Sequence, residues 1–292
     1  DLEELFKKYN LTIKRRPNYG VLLQGKDIDL QRLLMNFNDD ISGHLLKERY
    51  ERQAKIIKEI VLEEKIVTYD ELSDKLYINS SVIHKDMVNL KQFQNTYCKI
   101  ISDRNGTRVE GTEYGKQKLL KEFFNCYMNK CYPEASVETA SKLLSNYYPK
   151  SIILVVKDIL DSLSAILKKV LEDYYLISLF IFLVTIASRK KDGKELKVDL
   201  EILNREGIEL LINYHLAVEI SNKFRKKLGI QFTKNEVDYI SYQLFMHRVE
   251  LSINNKYLEN MFSNDVKDFI KRISKSLGLN LTNDCKLYDA LI

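Results

Sequence analysis

Glycine and proline are scarce, at 10 and 3 in 292 residues. A chain dominated by hairpins and tight turns would need more of both, so long helices with few reversals are expected. Cysteine occurs only at 98, 126, 131 and 285, with no C-x-x-C pair and no His/Cys cluster that could complete a zinc site. Free thiols in a reducing cytoplasm are therefore expected, with no metal and no cofactor. No basic-then-apolar signal segment opens the chain. The most apolar run, YYLISLFIFLVTIA at 174–187, is shorter than the roughly 20 residues a bilayer span needs and predicts a buried core helix. Signatures of catalysis are missing as well: there is no P-loop, no G-x-G-x-x-G, no G-x-S-x-G and no H-E-x-x-H. The dispersed His44, His84, His215 and His247 and the unpaired carboxylates make no catalytic set, so no enzymatic activity is expected. The net charge of +5 permits a polyanionic partner without demanding one.

What remains is a globular composition, 45% hydrophobic and 30% charged, long enough for two or three domains. It contains a repeat. GVLLQGKDIDLQRLLMNF (20–37) aligns with GTRVEGTEYGKQKLLKEF (106–123) at an offset of 86, from Gly20 onto Gly106. Gly25 then meets Gly111, Gln31 meets Gln117, Leu33 and Leu34 meet Leu119 and Leu120, and Phe37 meets Phe123. With one residue of slippage upstream, DLEEL (1–5) falls on DMVNL (86–90). Each copy should be the end of a helix, a hairpin and a second helix. The second hairpin is expected from YCKIIS (97–102), an Asn-Gly turn in DRNG (103–106) and TRVEG. The first is expected from LTIKRR (11–16), PNYG (17–20) and VLLQG (21–25).

Residues 51–94 read as three helices. The first carries Ile56, Ile57, Ile60 and Val61 at helical spacing. The second opens with a capping box, Thr68 with Glu71, and presents Tyr69, Leu72 and Leu76. After a short break, Asn79 caps a third helix whose Ile83, Met87 and Leu90 face inward. Ser80, Ser81, His84, Lys85 and Asn89 are left near its outer face. This is the layout of a helix-turn-helix whose third helix can enter a DNA major groove. The following hairpin would be a wing, with Arg104 and Arg108 near phosphates or the minor groove. Over 77–108 there are five basic residues (Lys85, Lys91, Lys99, Arg104, Arg108) against Asp86 and Asp103. Lys14, Arg15, Arg16 and Lys26 add positive charge to the first hairpin. Weak, salt-sensitive non-specific binding is expected.

From Ser136 onward strand signals nearly vanish, and a five-helix bundle over 136–250 is expected, with a second capping box at Thr233 and Glu236. VVKDIL (155–160) echoes DVKDFI (265–270), as though a second bundle began near 251. The expected division is a winged-helix remnant (1–25), a connecting helix (26–48), a winged helix-turn-helix (49–111), a linker helix (112–135), the bundle (136–250) and the start of a second bundle (251–292). On this division the chain is cut inside a repeat at both ends. The fold class expected is mainly α, with small β-hairpin wings.

ER…IIKEI…TYDELSDKL-INSSVIHKDMVNL followed by a wing ending in RVEG resembles the bacterial sugar-operon activators that carry phosphotransferase-system regulation domains (PRDs), such as mannitol and lichenan operon activators. The resemblance covers essentially the whole chain through the order of its parts. It implies a cytoplasmic homodimer that binds operator DNA and is controlled by phosphotransferase-system proteins through histidine phosphorylation of the PRDs, which repacks a helical interface. In the family pattern the first such histidine precedes an arginine by seven residues. Counting back from Arg189 gives Phe182, and the second histidine falls at Gln243. Neither side chain offers an imidazole; His215 and His247 lie nearby but off the pattern. The bundle is therefore expected to dimerise or relay signals without being phosphorylated. Two rival readings are an RNA-binding antiterminator of the same superfamily, disfavoured by the capped helices at 51–94, and a dimerisation module without DNA binding.

Overall fold

The computed structural model describes residues 6–8, 10–16, 20–166, 171–198, 207–247, 249, 255–277, 281 and 287. DLEEL and the last five residues of the chain lie outside them. The described chain is mainly helical, with two small antiparallel hairpins. The first hairpin pairs β1 (Thr12–Arg16) with β2 (Gly20–Gln24), and the second pairs β3 (Cys98–Asp103) with β4 (Gly106–Gly111). Helices α1 (Asp27–Ile57) and α4 (Glu113–Cys131) follow the two hairpins at the offset of the sequence repeat.

The repeated glycine faces the residue just before its hairpin in both copies, against backbone at Gly111 and against a movable side-chain end at Gly25. A Cβ on Gly25 would lie 2.1 Å from Leu11 Cδ2, and one on Gly111 would lie 2.2 Å from the Tyr97 carbonyl oxygen. Leu11 and Tyr97 are themselves equivalent positions of the repeat. The turn differs in detail from the Asn-Gly reading. Asp103 pairs with Gly106, so Arg104 and Asn105 form the corner, and Gly106 sits in the strand ladder at φ +120°.

The expected connecting helix and the first helix of the following unit are one continuous α1 of 31 residues. Across 43–55 the only breaker is Gly43 and there is no proline, so nothing stops propagation. Asp27 and Asp29 sit in its first turn, favourable to the helix dipole. The helix ends in a π-turn (Lys58–Leu62), after which Glu64 takes φ +51°. Helices α2 (Tyr69–Leu76) and α3 (Ser80–Leu90) follow. Ile57, Ile60, Ile83, Met87 and Leu90 are buried together with Phe123, Phe124 and Tyr127 of α4. Each such side chain contributes about 1.5–3 kcal/mol of burial. Tyr50 stacks on Tyr127 at 5.3 Å, and Phe93 meets Phe123 edge-on at 5.4 Å.

Beyond α4 come α5 (Val137–Leu144), α6 (Lys150–Ile166), α7 (Asp173–Lys191), α8 (Gly207–Leu228), α9 (Lys234–Met246) and α10 (Asn255–Leu277). Every residue of α7 from Ile177 to Arg189 is buried, because α4, α5 and α6 all pack against it. A helix apolar on all sides belongs at the centre of such a packing. Among the described residues no helix is long and apolar enough to cross a membrane.

Candidate nucleic-acid interface

Three local devices set α2 and α3. The Thr68 hydroxyl accepts from Glu71 N at 3.2 Å while the Glu71 carboxylate accepts from Thr68 N at 2.7 Å, the reciprocal capping box. Tyr77 then closes α2 in the left-handed region, φ 55°, and is 94% exposed. Asn79 Oδ1 accepts from Ser81 N at 3.0 Å and starts α3.

Helix α3 is anchored by Asp86. Its carboxylate accepts from Arg52 Nε at 2.7 Å, Arg52 Nη2 at 3.2 Å and Gln53 Nε2 at 3.1 Å, all from α1. Asp86 is 1% exposed, so this side chain fixes the rotation of α3 instead of adding charge to the outer face. Ile83, Met87 and Leu90 face the core from the same side. On the opposite side Ser81, His84 and Lys85 are exposed, while Ser80 and Asn89 are half-buried. The His84 ring lies edge-on to Tyr69 of α2 at 6.0 Å.

The second hairpin is held beside these helices. Val67 and Thr107 exchange backbone hydrogen bonds at 3.0 and 2.7 Å, and Tyr69 OH donates to Ser102 Oγ at 3.5 Å. Arg104 at the hairpin corner is exposed and makes no ion pair among the described residues. Arg108 differs: it bonds Asp103 and Glu110 at 2.6 Å each, so the hairpin's own carboxylates neutralise it. Lys85, Lys91 and Lys99 are exposed and unpaired among the described residues. The positive surface thus consists of Lys85, Lys91, Lys99 and Arg104, without Arg108.

No protein-family model matches the sequence. The chain is 25% identical over 247 residues to the probable licABCH operon regulator of Bacillus subtilis (strain 168). That alignment covers 81% of this chain and 37% of the Bacillus protein, so the chain spans well under half of that relative's length.

The two positions where the resemblance implies histidines, Phe182 on α7 and Gln243 on α9, are brought together around Lys121 of α4. Lys121 Nζ donates to Gln243 Oε1 at 2.6 Å and sits 5.9 Å from the Phe182 ring centroid. Burial pushes the Lys121 ammonium down to about 8. His247 is buried beside them, with Nδ1 2.5 Å from the Gln243 carbonyl and Nε2 3.0 Å from Ser178 Oγ. Burial, and next the Lys121 charge, lower the His247 imidazole to about 4, so it is neutral near pH 7. An aromatic line runs outward from this cluster. Phe182 meets Tyr239 at 5.5 Å, Tyr239 meets Tyr114 at 5.7 Å, and Tyr114 meets Tyr97, next to β3, at 5.1 Å. Sequence reasoning missed Lys121 because nothing in the run KLLKEFF separates it from Lys118, which is half-exposed and 3.9 Å from Glu122. Arg189 was noticed only as a counting mark, yet it is the largest fully buried side chain among the described residues.

Proposed function

We propose that the chain is a DNA-binding regulator of a carbohydrate phosphotransferase operon, without catalytic activity of its own. In this reading residues 49–111 form a winged helix-turn-helix, 136–250 form a PRD bundle, and 251–292 begin a second one. Residues 1–25 belong to a first winged helix, joined through 26–48, and 112–135 link reader to bundle. The observation that carries the reading is the face of α3. Ser81, His84 and Lys85 project opposite the Asp86 anchor, beside a hairpin whose corner offers unpaired Arg104. A helix presenting small polar and basic side chains from its first turns, next to a basic hairpin, fits base-edge readout flanked by phosphate contacts. The Bacillus relative is named for an operon regulator, which supports a role in transcription of a sugar operon. Activation, a cytoplasmic homodimer and control by phosphotransferase-system proteins complete the reading.

The test is DNA binding by a chain that stays folded. Fragments selected from a random duplex pool are titrated by fluorescence anisotropy with the parent and with Lys85→Ala/Arg104→Ala. Both residues are exposed, so the melting temperature should hold. Affinity should fall at least about tenfold, and the salt slope should shrink by about 1 for each phosphate that is no longer neutralised. Unchanged affinity refutes the assignment of the DNA face. Light scattering at tens of micromolar should give the mass of a dimer, and a monomer mass refutes that part of the reading.

A further inference from the structure

A cavity of about 670 Å³ lies where the C-terminal part of α1 faces the end of α4 and α5. This volume falls in the range of small-molecule sites. Lys55 enters it from α1, Lys58 from the π-turn that ends α1, and Lys142 from α5. Tyr132 at the end of α4 and Tyr147 just past α5 supply half-buried rings to its wall; Tyr127 also lines it but is 1% exposed, its ring already stacked on Tyr50. Helical geometry makes this convergence inevitable once the helices pack. Glu51 and Lys55 stand at i and i+4 of α1 and therefore share a face, which Lys58 continues at the first position of the π-turn.

The charges there are poorly matched. Lys55 and Lys142 make no ion pair among the described residues, and Lys58 has only Glu63, at 3.8 Å. Glu51 is the single carboxylate in the lining. A fourth ammonium, Lys47, lies 5.2 Å over the Tyr132 ring from just outside. Cations in a concave wall focus positive potential on the space between them. Lysines act on phosphate as point charges, and tyrosine rings accept the flat face of another ring. A bare anion would leave the rings uncovered, and a neutral ring compound would leave the ammonium groups unmatched.

The geometry points to a binding site for a small phosphorylated ring compound, a sugar phosphate or a nucleotide, held by Lys55, Lys58 and Lys142 against Tyr132 and Tyr147. This site shares no residue with the DNA face, and the ligand titrations that test it do not depend on DNA binding. The purified chain is titrated calorimetrically with glucose 6-phosphate and with AMP, and in parallel with glucose, adenosine and inorganic phosphate. At least one phosphorylated compound should bind saturably, about tenfold or more tighter than its unphosphorylated parent and than inorganic phosphate. Either order of the two supports the site, and the order names the ring. Lys55→Ala/Lys142→Ala should weaken that binding about tenfold without moving the melting temperature, since both side chains are exposed. Glu51→Gln should tighten it. Absence of saturable binding by both phosphorylated compounds, or binding that the double variant leaves intact, overturns the proposal. So does a loss of DNA affinity in the ligand-free double variant, which would assign these lysines to nucleic acid.

Discussion

Arg189 at the end of α7 grips Glu113 at the start of α4 with two nitrogens, Nε at 2.8 Å and Nη2 at 2.6 Å, and its side chain has no solvent exposure. The same guanidinium bonds Glu64 at 2.6 Å and the carbonyls of Val61 and Leu62 at 3.0 and 3.3 Å. One side chain thus ties α7 to the π-turn at the end of α1 and to the first turn of α4. Replacing it with Met takes the guanidinium from the Val61 and Leu62 carbonyls and from both carboxylates, leaving Glu113 only Gln117 and Glu64 only Lys116 and Lys194 as donors. The expected cost is about 3–5 kcal/mol in denaturant unfolding. Arg189→Lys should recover only part of this, because an ammonium cannot reproduce the planar fork. A Met variant as stable as the parent would show that the clamp is incidental.

Asp86→Ala should destabilise the chain by about 3 kcal/mol, since it leaves the Arg52 and Gln53 donors facing a buried gap. It should also weaken DNA binding although Asp86 itself is 1% exposed, because α3 loses its rotational anchor. Separating the two effects requires binding measured well below the melting temperature.

Arg104→Ala should weaken DNA binding more than Arg108→Ala. Arg104 is unpaired among the described residues, whereas Arg108 must first leave Asp103 and Glu110. Equal losses in an anisotropy titration would mean that the hairpin rearranges on DNA.

Stability should fall as the solution is acidified, in two stages. His247 is held at about 4 in the folded chain against an ordinary 6.5. Between those values the unfolded chain takes up a proton that the folded chain refuses, so stability declines as pH drops from 6.5 towards 4. Glu64 follows. Burial pushes its carboxyl up, but hydrogen bonds from Lys194, Arg189 and Lys116 outweigh this and bring it down to about 2. Its contribution is complete above 4.5 and is lost as pH falls towards 2. Melting temperatures of His247→Gln should flatten in the upper window alone, and those of Glu64→Gln in the lower window alone.

Tyr77→Gly should stabilise the fold by up to about 1 kcal/mol, because glycine adopts φ 55° without the Cβ penalty and the lost ring buries almost nothing. Thermal melts measure this directly.

The legible parts of this fold were the local ones. Thr68 with Glu71 and Thr233 with Glu236 form the expected capping boxes because a cap joins groups three residues apart, visible at that spacing. The two hairpins were visible through the repeat, and the core face of α3 through the period of Ile83, Met87 and Leu90. The continuity of α1 was missed because the repeat suggested a boundary where the backbone needs none. The Arg189 clamp joins residues 64, 113 and 189, and the Lys121 cluster joins 121, 182 and 243. Neither leaves any spacing in the chain. The outward position of Ser81, His84 and Lys85 on α3 was legible from the same helical period. Asp86 and Arg108 were counted as surface charge, and only the folded arrangement assigns each to a neutralising partner.

Helix α1 joins the first hairpin to the π-turn against which the second unit packs. At 1.5 Å per residue its 31 residues make a strut about 46 Å long. That exceeds the roughly 34 Å pitch of duplex DNA. Two hairpins at opposite ends of such a calliper cannot crowd into one stretch of groove, and their separation is a fixed length written into a single uninterrupted helix.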